Sequence, residues 1–341
     1  MSPERVSAKV LHQAIVELLA GRGLPLQHAA DVAETLVATS ANGIDTHGVR
    51  LLPAYLRELE GGRAKTQPRF RISASTKGAA LFDADDALGV VAANAAMRHA
   101  IDRASAAGIA AVAVARSNHF GAAGHYARIA ARRNQIGIVF TNSDALVVPF
   151  GGRERLNGTN PIAIAAPAMG DDDFCLDFAT SEISFSSVLP ALRNRATNAD
   201  LADLVREVAL PPMAGYKGQG LAMAVQIFCA LLSSMPFDAE LRNMYEPPYS
   251  EPRRISHFMM AIDIAAFVDV AAFRERLSQL LARFRTAAAA GDTPVRVPGD
   301  PERIARAERL RDGIPLLAEE AALLAPYLRR SDSSCAYGGA A

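Results

Sequence analysis

Four short apolar runs in the middle of the chain constrain its fold more than any other feature. They are "GIAAVAVARS" (108–117), "IGIVFTNS" (136–143), "NPIAIAAPA" (160–168) and "FCLDFAT" (174–180). None alternates strictly between apolar and polar residues. A strand without alternation is buried on both faces, so these runs predict an α/β fold with a sheet sandwiched by helices. Helical segments at 87–107 and 121–134 separate them. Each run begins or ends in small or polar residues, and a sheet sets such ends side by side. In open α/β sheets the carboxyl edge is where ligands bind.

The flanks read as helices. Val6, Val10, Leu11, Ala14, Ile15, Leu18 and Leu19 recur at three- and four-residue steps, predicting a helix over 6–20 closed by Gly21 and Gly23. A second covers 27–41. The stretch "GIDTHGVRLLPAYLRELEGGR" (43–63) opens a third through Leu52, Tyr55, Leu56 and Leu59. His47 and Arg50 then lie near its N-terminus, and their spacing of three puts both on one face. Further helices are expected at 217–234, 270–289 and 301–311, with a strand at 257–264. The tail "SDSSCAYGGAA" has small residues and no periodicity and is expected to be disordered.

Composition removes several function classes. The chain has 341 residues, enough for one large domain or two to three interleaved ones, and 50% are apolar. The 36 basic and 36 acidic side chains cancel, which argues against nucleic-acid or anionic-membrane binding. No apolar run reaches the roughly 18 residues of a membrane span, and "MSPERVSAKV" lacks the hydrophobic centre of a signal peptide. Cys175, Cys229 and Cys335 are scattered without CxxC spacing, which fits a reducing cytoplasm.

The chemistry-bearing motifs are less conventional. No GxGxxG follows a strand, and GxxxxGK[ST] does not occur, so a standard Rossmann domain is unsupported. "GYKGQG" (215–220) opens an apolar helix, where free N–H groups and Lys217 suit a phosphate, or it is a glycine turn with a solvated lysine. In "RSNHFGAAGHY" (116–126) a strand leads into a helix, which makes His119 a cap or a site residue. His125 reads as a surface or helix-packing residue. Asn142, Ser143, Asp144, Thr159 and Asn160 are turn formers near strand ends. Asp177 accepts from a ribose hydroxyl, partners a histidine or caps a helix. No HExxH motif or ordered histidine–carboxylate cluster points to a metal, and no GxSxG marks a serine nucleophile. Tyr216, Phe120 and Phe178 read as core aromatics.

Taken in order, "DTHGVRLLPAYL", "SNHFGAAGHYARIAA", "TNSDALVVPFGG", "NGTNPIAIAAP", "DFATSEISFSSV", "GYKGQGLA", "HFMMAID" and "VRVPGDPE…GIPL" resemble the malate/L-lactate dehydrogenase family. That family includes L-sulfolactate, ureidoglycolate and 2,3-diketo-gulonate enzymes and cyclic imino acid reductases. The resemblance implies an L-sulfolactate dehydrogenase-like fold, with a central mixed sheet flanked by helices. It implies NAD or NADP as cofactor, a small carboxylate substrate, and a cytoplasmic homodimer. By analogy, a helical substrate-side domain would comprise 1–70 with 299–330, and the cofactor-binding and dimerisation region 71–298. His47 would be the general acid/base, oriented by Thr46, with Arg50 holding the substrate carboxylate. His119, Phe120, Gly121, Ala122, Ala123, Ser143, Asp177, Phe178, Ala179, Lys217, Pro298 and Gly299 would surround the cofactor. His119 would also stand near the chemistry, and Asp144 and Thr159 would border the substrate. Arg116 or Arg153 are candidate cations for the 2′-phosphate of NADP.

Two departures from the family pattern stand out. Many members place the arginine one position later, where this chain has Leu51. The segment 189–214 is shorter than usual and lacks a "PTTDP" motif. The reaction implied is hydride exchange with a 2-hydroxy or 2-oxo acid. The alternatives are reduction of a cyclic imino acid and a non-catalytic cofactor-binding role.

Overall fold

The computed structural model describes residues 4–185, 187–188, 191–192, 204–205 and 207–334. Most of the shortened segment 189–214 and the last seven positions of the expected disordered tail therefore lie outside the described residues. The chain divides into two compact units, Met1–Arg57 with Gly299–Ala341, and Glu58–Pro298. The first crossing falls at Arg57–Glu58, earlier than the expected boundary at residue 70.

The first unit is helical. Helix α1 (Ala8–Ala20) starts where the Ser7 hydroxyl accepts from the Val10 N–H at 3.3 Å, an N-cap. It buries Leu11, Ala14, Ile15, Leu18 and Leu19 against α2 (Leu26–Ala41). Two later helices complete the unit, α8 (Asp300–Asp312) and α9 (Ala318–Ser334), and α9 also packs on α1. Because α9 runs to Ser334, the first residues of the expected disordered tail are helical. Strand β1 (Glu4–Val6) pairs antiparallel with β9 (Ile314–Leu316), tying the two ends of the unit together.

The segment between α2 and α3 (Leu52–Glu60) differs from expectation. Asp45–His47 and Val49–Leu51 form two separate 3₁₀ turns, and Gly48 between them takes φ −96°, ψ −138°. His47 and Arg50 therefore do not share a helix face. The cause is local. The Ser40 hydroxyl occupies the space where a Cβ on residue 48 would sit, 2.1 Å away, and accepts the Val49 N–H at 3.0 Å. This close approach requires glycine and interrupts the helix before it can begin.

The second unit holds a seven-stranded mixed sheet. Its strands are β2 (Arg71–Ser75), β3 (Ala79–Asp83), β4 (Ile109–Ser117), β5 (Gln135–Thr141), β6 (Ile162–Ala166), β7 (Phe174–Phe178) and β8 (Ile255–Asp263). The spatial order is β2-β3-β4-β8-β5-β6-β7, and the β3–β4 pair alone is parallel. Alternate residues bury opposite faces. Val112, Val114, Met259 and Ala261 face the alanine-rich helices α4 (Gly89–Ala107) and α5 (Ala123–Ala131). Phe258, Met260, Phe140 and Ile162 face Val225 and Cys229, on α6 (Tyr216–Gln226) and the widened π-helical turn Ile227–Leu231 that continues it. Both faces are covered by helices, which is why the strand sequences do not alternate. Gly137 lets α5 lie close to the sheet, since a Cβ there would meet the Ala127 carbonyl at 2.4 Å. Helix α7 (Val270–Arg285) packs Leu277 and Leu281 against Ala168 and Val297.

One buried cation organises a loop of this unit. Arg63 is fully buried and donates to the carbonyls of Met244 (3.2 Å), Glu246 (2.6 Å), Pro248 (3.1 Å) and Glu251 (3.2 Å). Its guanidinium lies 4.6 Å over the Tyr249 ring and 3.8 Å from Glu58. A buried charge is tolerated only when its donors are satisfied in this way.

Candidate active site

In the helical unit the residues of interest lie on the two 3₁₀ turns. The His47 Nδ1 and the Thr46 hydroxyl share a hydrogen bond of 3.0 Å, which fixes the ring. Burial holds the His47 pKa below its ordinary value, so the neutral imidazole prevails near pH 7. Arg50 is one third exposed and has two loose counter-charges, Asp45 at 3.6 Å and Glu320 at 3.7 Å. Both distances exceed hydrogen-bond length. Burial raises the Glu320 pKa, against the opposing pull of its bond from the Leu317 N–H and of Arg50. Asp45 is instead held by Arg309 of α8. Nη1 and Nη2 each donate to one of its oxygens, the second at 3.0 Å, and Nη1 also reaches the Ser40 carbonyl at 2.6 Å.

In the sheet unit the polar strand ends do gather on one edge, though not on a common carboxyl edge. Because neighbours run antiparallel, the carboxyl ends of β4, β5 and β7 stand beside the amino ends of β8 and β6. A buried chain of side chains stitches this edge. The Ser117 hydroxyl meets His257 Nε2 at 2.7 Å, and His257 Nδ1 meets the Thr141 hydroxyl at 2.7 Å. The His257 ring stacks on Phe120 with centroids 4.6 Å apart, and burial pushes its pKa down to about 3. His125 is likewise buried, packing edge-on against Tyr126, with its pKa down at about 3 through burial first and Arg132 and Arg128 second.

The loop after β4 turns at Gly121, φ 81°, whose N–H donates to His119 Nδ1 at 3.4 Å. His119 is half-buried, whereas Phe120, Gly121, Ala122 and Ala123 are buried. Asp177 accepts the Gly124 N–H at 2.7 Å, so of its three possible roles the geometry displays the capping of α5. Phe178 and Ala179 follow at the end of β7 and are half-buried.

Two loops cross beside this edge. The Ser143 hydroxyl accepts the Thr159 N–H at 3.0 Å and lies 3.4 Å from the Thr159 hydroxyl, while the Ser143 N–H donates to Asn160 Oδ1 at 3.2 Å. Asp144 is engaged by the buried Arg253 and by Asn243 at 2.7 Å. Beneath the crossing lies Asp238, fully buried, whose Oδ2 accepts the Gly158 N–H and Asn160 Nδ2, both at 2.7 Å. Burial raises its pKa to about 7 against those hydrogen bonds, with Asp144 adding to the rise. Sequence reasoning missed Asp238, Arg253 and His257, because nothing local in "FDAEL", "EPRR" or "HFMM" reveals a partner far away in the chain.

Lys217 is exposed in the first turn of α6. Gly218 is required behind it, since a Cβ would meet the Met213 carbonyl at 2.1 Å. The Pro298 carbonyl accepts the Cys175 N–H at 3.2 Å, and Gly299, φ 104°, begins α8 where the chain passes between units. Of the two cations considered for a 2′-phosphate, Arg153 is exposed, but Arg116 is surrounded by Asp85 (2.6 Å), Asp86 (3.3 Å) and Asp83 (3.4 Å). Its charge is already neutralised. Among the described residues no group of histidine, cysteine, aspartate and glutamate side chains is arranged to hold a metal ion, and no helix is long and apolar enough to cross a membrane.

Comparison with known proteins gives a consistent answer. The malate/L-lactate dehydrogenase family model matches residues 6–325. The chain is 35% identical over 324 residues to the ureidoglycolate dehydrogenase (NAD(+)) of Escherichia coli O157:H7, which covers 92% of this chain and 93% of that one. The structure of malate dehydrogenase from Pyrococcus horikoshii OT3 matches with a TM-score of 0.86 at 32% identity, covering 96% of this chain and 95% of the other. The delta1-piperideine-2-carboxylate reductase from Pseudomonas syringae pvar. tomato matches with a TM-score of 0.81 at 25% identity, covering 95% and 99%. By sequence and by fold, the chain belongs to the malate/L-lactate dehydrogenase family.

Proposed function

We propose that this protein is an NAD(P)-dependent oxidoreductase acting on a small 2-hydroxy or 2-oxo acid. One observation carries the reading: a histidine fixed through Nδ1 by its neighbour's hydroxyl stands three residues from an arginine whose counter-ions are loose. Hydride exchange is the chemistry a bound nicotinamide supplies. His47 gives a proton to the substrate oxygen as the carbonyl becomes an alcohol, and takes it back in reverse. A depressed pKa suits it to the base role of the oxidation direction near neutral pH. Arg50 binds the substrate carboxylate with two parallel hydrogen bonds, which fixes the carbonyl face presented for reaction.

The cofactor is assigned to the loops of the sheet unit, and their chemistry fits it. The Gly121 turn takes a left-handed conformation beside buried backbone, the Ser143 and Thr159 hydroxyls adjoin one another, and Lys217 supplies an exposed cation. His119 to Ala123, Ser143, Asp177 to Ala179, Lys217 and the Pro298-Gly299 turn hold it in this reading, and Asp144 and Thr159 border the substrate. NAD and NADP both remain within the proposal; a thermal-shift comparison separates them, since a ligand of the native state raises its stability.

The test is absorbance at the nicotinamide band with a panel of 2-oxo acids. We expect turnover with at least one, and a loss of about 10²-fold or more in kcat for His47→Gln. Failure of every acid, together with no cofactor binding, defeats the reading. A second reading, reduction of a cyclic imino acid, is favoured by the likeness to the piperideine-carboxylate reductase. Piperideine-2-carboxylate tested beside the oxo acids at equal concentration decides between them.

We further propose a homodimer formed through α6 and the π-helical turn that continues it. Met223, Ile227 and Leu231 recur every four residues and are 51–53% exposed, an apolar stripe that a second copy would cover. Sedimentation of the parent and of Ile227→Glu checks this. A cytoplasmic location completes the proposal, supported by the free, buried Cys229 thiol.

A further inference from the structure

We propose that Arg309 keeps Arg50 available for substrate by sequestering Asp45. The inference rests on the carboxylate-binding role given to Arg50 above. Asp45 lies within reach of two guanidinium groups, and the geometry divides it unequally. Arg309 grips both of its oxygens and is itself anchored on the Ser40 carbonyl. Arg50 stands 3.6 Å from one oxygen, beyond hydrogen-bond length. A two-pronged arginine–carboxylate pair is the strongest arrangement open to Asp45, so its charge is satisfied before Arg50 competes for it.

The second neighbour of Arg50 is equally restrained. Glu320 is nearly buried, and one of its oxygens accepts the Leu317 N–H at 2.8 Å. The other is 3.7 Å from Arg50 Nε. Burial raises the Glu320 pKa, against the pull of Arg50 and of the Leu317 N–H. An arginine fully paired with protein carboxylates would have to break those bonds to receive a substrate. Arg50 instead faces two acids that are each occupied elsewhere.

Without Arg309, Asp45 would lose its partner and turn to Arg50. The substrate carboxylate would then compete with an internal one. Arg309 is thus a positioning residue, acting on Arg50 through Asp45.

The experiment uses the full-length protein, whichever of NADH and NADPH the thermal-shift comparison selects, and the 2-oxo acid giving the highest turnover in the panel. Arg309→Ala should raise KM about fivefold, the factor carried by one partly exposed ion pair, with kcat within about twofold of the parent. Asp45→Asn added to Arg309→Ala removes the competitor and should return KM to the parental value. Arg309→Lys, a milder change that retains the charge but not the two-pronged grip, should give an intermediate KM. Thermal-shift titration with oxalate in the presence of the same reduced cofactor should rank the affinities in the same order. An unchanged KM in Arg309→Ala, or a loss of kcat that Asp45→Asn does not rescue, overturns the inference and makes Arg309 a packing residue. If Arg309→Ala does not fold, a parental KM in Arg309→Lys overturns it equally. A parent that neither turns over any 2-oxo acid nor responds to oxalate removes the functional reading and this inference together, whereas an active parent with an unaffected Arg309→Ala removes this inference alone.

Discussion

Replacing Asp238 by asparagine should stabilise the protein in alkaline solution and barely change it in acid. The carboxyl is fully buried and its pKa is raised from 3.8 to about 7, with burial as the main cause. A group whose folded pKa lies above its unfolded one contributes stability that is fully present below about 3.8 and is lost as pH rises through about 7. The whole gap is about three pH units, at about 1.4 kcal/mol per unit, which sets an upper bound of about 4 kcal/mol. About two of those units fall between pH 5 and pH 7. Asparagine mimics the protonated acid. Its carbonyl can accept from Gly158 and Asn160 as Oδ2 does, and its amide takes the place of Oδ1. The stability of Asp238→Asn relative to the parent should therefore rise by about 3 kcal/mol between pH 5 and pH 8. Buried His125 and His257 act in the opposite sense, since their depressed pKa values cost stability as pH falls below about 6.5. They are common to both proteins, so the difference isolates residue 238. Urea unfolding followed by circular dichroism at both pH values measures it. Parallel pH profiles for parent and variant would refute the titration argument. A variant less stable than the parent at pH 8 would refute the claim that the fold prefers the uncharged acid.

Two other perturbations probe the packing beneath the site. Gly48→Ala drives a methyl into the Ser40 hydroxyl, so stability should fall by about 1–3 kcal/mol and activity with it; adding Ser40→Ala should recover part of both, read from thermal unfolding and kcat/KM. Arg63→Ala leaves four loop carbonyls without their donor and removes the charge 3.8 Å from buried Glu58, at a cost of about 3–5 kcal/mol. Arg63→Met, which fills the space without a charge, should be the milder of the two, and a urea series distinguishes them.

The sheet was readable because its sequence carries the consequence of double burial. The runs at 108–117, 160–168 and 174–180 contain strands β4, β6 and β7, and the run at 136–143 holds all of β5 but its first residue, Gln135. What the runs could not disclose was direction, since burial is the same for parallel and antiparallel neighbours. The expectation of one carboxyl edge therefore gave way to an edge built from alternating ends, and the polar residues still converged there. Strands β2 and β3 went unseen because "RISAS" and "AALFD" are short, and Arg71, Ile72, Ser73 and Ser75 of β2 are exposed. The break between His47 and Arg50 was hidden for a different reason. It depends on Ser40, on the preceding helix, filling the space beside Gly48. Arg309, Asp238 and Arg63 were illegible in the same way, each one meeting partners 78 to 264 positions distant.

The pairing of β1 with β9 bears on when the molecule can first work. A nascent chain leaves the ribosome amino end first, at roughly 5–20 residues per second. The sheet-bearing unit is continuous and can close on itself while synthesis proceeds. Residues 4–57 must wait on the order of tens of seconds for α8 and β9 to emerge. Until then Asp45 has no Arg309 to grip it, so the histidine turn is among the last parts of the protein to be finished.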